Sequence, residues 1–96
     1  MTAVSVPEQF IDAAAGLFDA LVPVASDDEL FASGYLRGHF DLAVGTLQLD
    51  DTPFSAADVI TQVNSTLAQA IANGELNSAD QQHVSLIWQR LQQLAA

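Results

Sequence analysis

Ser26-Asp27-Asp28-Glu29-Leu30-Phe31-Ala32-Ser33-Gly34-Tyr35-Leu36-Arg37-Gly38-His39-Phe40-Asp41-Leu42-Ala43-Val44-Gly45-Thr46-Leu47-Gln48-Leu49 is the stretch that decides the fold. It opens with a capping box, in which the Ser26 hydroxyl and the Glu29 carboxylate each satisfy a backbone donor that a first helical turn leaves unpaired. Behind the cap, at about 100° per residue, Leu36, Phe40, Ala43 and Leu47 form one apolar stripe. Phe31, Gly34, Tyr35, Gly38, Leu42, Gly45 and Leu49 form a second, nearly opposite. Arg37, Asp41 and Gln48 fill one strip between them, His39 and Thr46 the other. Both stripes keep phase through Ser33-Gly34, so one rod from Ser26 to about Leu49 is predicted rather than a helix broken there.

A bundle helix needs a single apolar stripe, and this one carries two. Three interior glycines also weaken it, by about 1 kcal/mol each relative to alanine, in a domain whose whole stability is only about 5–15 kcal/mol. Such a cost points to a close backbone approach on the glycine side. Two arrangements supply one. The chain's own helices cover both stripes, or the second stripe receives a partner, either another protein or a copy of the same chain. Phe31, Gly34, Tyr35, Gly38, Leu42 and Gly45 are the expected partner-binding residues.

Working outward, the same logic marks three further helices. Pro7 suits a first helical turn, where its missing N–H costs nothing, and Phe10, Ala14, Leu17, Phe18 and Leu21 share one face before Pro23 ends the segment. Another opens at Ser55, carries Val59, Ile60, Val63, Leu67 and Ala70 together, and closes at Asn73-Gly74, a left-handed cap position. The last is expected to start at Ser78, with Gln81 completing a capping box, and groups Val84, Ile87, Trp88, Leu91 and Ala95. No alternating strand pattern competes. Connections of a few residues predict an all-α, up-down antiparallel four-helix bundle, one domain over residues 1–96.

Composition excludes several function classes. Twelve acids against two arginines and no lysine give a formal charge of -10, which excludes a reader of nucleic-acid backbones and disfavours an anionic membrane surface. Half of the acids (Glu8, Asp27, Asp28, Glu29, Asp58 and Asp80) fall in first turns, where they complement the helix dipole. The rest repel one another, so moderate salt is expected to stabilise the fold. Cysteine is absent, which removes disulfides and thiolate chemistry. Without a basic leader or a long apolar run, a cytoplasmic protein is expected.

The block Ala25-Ser26-Asp27-Asp28-Glu29-Leu30-Phe31-Ala32-Ser33-Gly34-Tyr35-Leu36-Arg37-Gly38-His39 closely resembles the YfcL family of small bacterial proteins. Ala70-Ile71-Ala72-Asn73-Gly74-Glu75-Leu76 and Ala79-Asp80-Gln81 resemble it in register, so the likeness spans nearly the whole chain after the first helix. It implies a bacterial compartment and this chain organisation. It implies no activity and no catalytic residues.

Chemistry-bearing residues are few. Arg37 is expected to pair with Asp41 one turn on or to tether a nearby helix end, and His39 to sit half-buried against a neighbour. Their functional alternative is a polar pocket for a small ligand, lined by both. Asp80-x-x-His83 is one copy of a motif that di-iron bundles need twice, and no metal or other cofactor is expected. Neither a Gly-x-Ser-x-Gly elbow nor a phosphate-cradling loop occurs. Nor does Asp-Ser-Leu, the attachment signal of the acyl carrier proteins that this size and acidity resemble. A non-enzymatic protein that binds a protein partner, but neither nucleic acid nor membrane, is the expectation.

Overall fold

The computed structural model describes residues 7–50 and 53–95, which form four helices: α1 (Pro7–Leu21), α2 (Asp27–Leu49), α3 (Ala56–Ala72) and α4 (Ser78–Gln93). The expected all-α, four-helix architecture is what forms, with no strand among the described residues. α2 runs unbroken through Gly34 and is the longest of the four.

Local chemistry sets the boundaries. At α2, the Glu29 N–H donates to the Ser26 hydroxyl (3.2 Å) while the Ser26 N–H donates to Glu29 Oε1 (2.9 Å). Ser55 and Asp58 repeat the same reciprocal pair at α3. α3 ends in a Schellman turn: Gly74 takes φ +77°, its N–H reaches the Ile71 carbonyl, and the Glu75 N–H reaches that of Ala70.

The start of α4 differs from the sequence expectation by one residue. Asn77, not Ser78, is the cap, with an extended backbone and its side-chain oxygen accepting the Asp80 N–H at 2.8 Å. Gln81 therefore completes no capping box; its amide donates instead to the Leu76 carbonyl (3.0 Å). Asparagine caps as well as serine does, and here the upstream candidate is the one whose oxygen meets the third N–H.

One connected core draws on all four helices. Phe10 and Phe18 of α1 pack on Phe40 of α2, with ring centroids 5.7 and 6.1 Å apart. Leu36 and Ala43 of α2, Val59 and Val63 of α3, and Val84 and Leu91 of α4 complete it. Consecutive helices double back. Tyr35 meets Glu75 and His39 meets Thr66, so α2 and α3 run in opposite senses. The Trp88 indole N–H donates to Asn64 Oδ1 at 2.7 Å, tying α4 to the middle of α3. α2 is the hub, packing against each of the other three. Among the described residues, every buried side-chain polar atom has a hydrogen-bond partner.

Candidate functional site

The two stripes of α2 meet opposite fates. Its inner face (Ala32, Leu36, Phe40, Ala43 and Val44) is buried. On the outer face Phe31 is 52% exposed, Leu42 65% and Leu49 86%. Gly34 and Gly38 are exposed and Gly45 half-buried. A Cβ added at any of these three glycines would meet nothing within 4 Å. The arrangement in which the chain covers both stripes is therefore not the one adopted, and the close approach does not occur within the described chain.

Tyr35 stands apart from the other expected partner-binding residues. It is half-buried and packs on the core, and its O–H donates to Glu75 Oε1 at 2.8 Å. Burial, together with the Glu75 carboxylate that accepts this bond, pushes its phenol up to about 12. The ring also lies against Phe31 (centroids 6.1 Å) and His39 (4.8 Å). An aromatic ridge so forms along one border of the outer face. Beside it, Tyr35, Gly38, His39 and Leu42 line a shallow depression of about 160 Å³.

Arg37 and His39 are not brought together. Arg37 Nη1 donates to Asp19 Oδ1 at 3.1 Å, the one ion pair among the described residues, and its guanidinium sits 5.5 Å from the Phe18 ring centroid. It thus ties α2 to the last turns of α1, not to Asp41. His39 Nδ1 lies 2.9 Å from Thr66 Oγ1 on α3. The Thr66 hydroxyl also lies 3.2 Å from the Val63 carbonyl on its own helix. Two residues along a helix is about 200° of rotation, so the polar pocket offered as the alternative role of these two is not lined by both.

A different pair, one histidine and one arginine, does share a cavity. His83 and Arg90 of α4 line a cavity of about 220 Å³ together with Leu21, Ala25, Glu29, Leu86 and Ile87. Neither was singled out for such a role by sequence, where His83 was weighed only against Asp80 as a metal motif. The signal was present: positions 83, 86, 87 and 90 share one helical face. Among the described residues no cluster of three or more metal-ligating side chains occurs, and no helix is long and apolar enough to cross a membrane.

A family model described as YfcL protein matches residues 8–93. The chain belongs to the YfcL family. The match takes in α1 as well, beyond the stretch on which the sequence resemblance rested. Escherichia coli (strain K12) has a relative, described as uncharacterized protein YfcL, that is 50% identical over 80 residues, covering 83% of this chain and 86% of that protein. No solved structure matches. Family membership thus assigns no chemistry, and function must be sought in the surface that this YfcL-family chain presents.

Proposed function

We propose that this protein is a non-enzymatic, cytoplasmic interaction module that binds a helical segment of a protein partner along the outer face of α2. The observation that carries this is the bare edge of Gly34, Gly38 and Gly45 between the exposed side chains of Phe31, Leu42 and Leu49. From residue 31 to residue 49 the strip is roughly 27 Å long at 1.5 Å per residue, enough for several turns of a partner helix. Glycine lets a facing backbone come close, and the depression at Tyr35, Gly38, His39 and Leu42 offers a seat for one apolar side chain. No charged residue lies in the strip itself, so its centre can be desolvated without stranding a charge.

The charge of -10 favours a partner with cationic flanks over a second copy of this chain, and attraction of that kind acts on association rate and salt dependence more than on final affinity. Affinity capture from the native host at low and moderate salt tests the proposal, using the wild type, Leu42→Asp on the strip and Val24→Asp off it. A protein retained by the wild type and by Val24→Asp, but lost with Leu42→Asp, is the expected result. Equal capture by the wild type and both variants would overturn it, as would a self-associated species in sedimentation velocity that Leu42→Asp leaves intact.

A further inference from the structure

The cavity between the end of α1, the first turn of α2 and α4 has a chemistry that the α2 strip lacks. Its volume of about 220 Å³ corresponds to roughly seven waters at about 30 Å³ each, which is room for a small molecule and not for a helix. Leu21, Ala25, Leu86 and Ile87 give it largely hydrocarbon walls. Into the same space α4 brings His83 and Arg90, seven residues apart and so about two turns along one face. The chain has two arginines and two histidines, and one of each borders this cavity. Arg37 is neutralised by Asp19, whereas Arg90 makes no ion pair among the described residues.

Glu29 is the acid on the wall, and it is already engaged. Its Oε1 accepts the Ser26 N–H at 2.9 Å. That bond first, then the Ser26 hydroxyl and nearby His83, hold its carboxyl below the usual carboxylate range. Glu29 thus stays ionised as part of the α2 cap and does not close an ion pair with Arg90. Arg90 is therefore an exposed guanidinium beside an apolar hollow, without an ion pair among the described residues and open to an incoming carboxylate.

We propose that this cavity binds a small monocarboxylate with an apolar tail, its carboxylate on Arg90 with His83 alongside and its tail against Leu21, Leu86 and Ile87. The planar guanidinium matches both oxygens of a carboxylate. The hydrocarbon walls select a tailed acid over acetate. The site is separate from the outer face of α2, so failure of one proposal leaves the other standing.

Hexanoate titrated into the full chain and followed by backbone amide NMR shifts is the test, with acetate, hexanol and hexylamine in parallel. Hexanoate is expected to give saturable shifts at Ala25, Glu29, His83, Leu86 and Arg90, with acetate and hexanol markedly weaker. Arg90→Gln, an exposed position on α4, is expected to weaken hexanoate about tenfold. Absence of saturable shifts in the lining with hexanoate would overturn the proposal. So would hexylamine binding as well as hexanoate, which would make Glu29 the recognising group, or undiminished affinity in Arg90→Gln. The wild-type ligand series decides the matter even if that variant folds poorly.

Discussion

The inner and outer faces of α2 share one backbone and are both apolar, yet they are built from different materials. Leu36, Phe40 and Val44 on the inner side are large and buried against three neighbouring helices. The outer side alternates aromatic and aliphatic projections, Phe31, Leu42 and Leu49, with glycines at which an added Cβ would meet nothing within 4 Å. A face that only had to be soluble would be polar, and a face that only had to be helical would carry alanine or lysine in place of glycine. The difference teaches that inner-face residues are accounted for by the chain's own stability, while the three outer-face glycines lower helix stability with no neighbour placed where a Cβ would go. The proposed partner contact would give those glycines a use.

The contrast can be broken by mutation, most forcefully at the core. Phe40→Ala removes the ring that Phe10 and Phe18 pack against and is expected to cost about 3–5 kcal/mol in urea unfolding followed by circular dichroism. Phe31→Ala, the outer-face counterpart, is expected to stay within about 0.5 kcal/mol of the wild type. Comparable losses at the two positions would erase the distinction between the faces.

Next in size is the cap that starts both stripes. Ser26→Ala removes the acceptor of the Glu29 N–H and is expected to cost about 1 kcal/mol. Its partner adds a pH signature. Glu29 has a carboxyl pKa lowered from 4.5 in the folded chain, so its stabilising contribution is present above pH 4.5 and is lost as pH falls through the lowered value. Acid titration of stability is therefore expected to be shallower in Glu29→Gln than in the wild type.

The smallest effect concerns charge. With -10 on the chain and a single ion pair among the described residues, screening relieves more repulsion than attraction. The melting temperature is expected to rise by a few degrees between low and moderate NaCl, and a steady fall would contradict this.

Much of this organisation was legible in the sequence because it is local. Caps, proline and the Asn73-Gly74 stop act over three or four residues, and the apolar period of α2 needs only the helix itself. The α4 start slipped by one residue because Asn77 and Ser78 are equally good caps, and only the folded backbone decides which oxygen meets Asp80. Whether the second stripe was covered could not be read from periodicity, since a covered and a bare apolar face have the same pattern. Arg37 and His39 were candidates for one pocket by rarity alone, although residues two apart on a helix do not face each other. Arg90 and His83 lay at a favourable spacing, yet the third wall of their cavity comes from Leu21 and Ala25, distant in sequence.

The glycine edge is the point on which the account turns, and replacing Gly34, Gly38 and Gly45 together by alanine tests it most directly. All three have ordinary helical backbones and open space where a Cβ would go. The triple variant is therefore predicted to unfold at higher urea, gaining roughly 0.5–1 kcal/mol per site, while losing the partner that the wild type captures. A less stable triple variant, or one that captures the partner undiminished, would contradict the account.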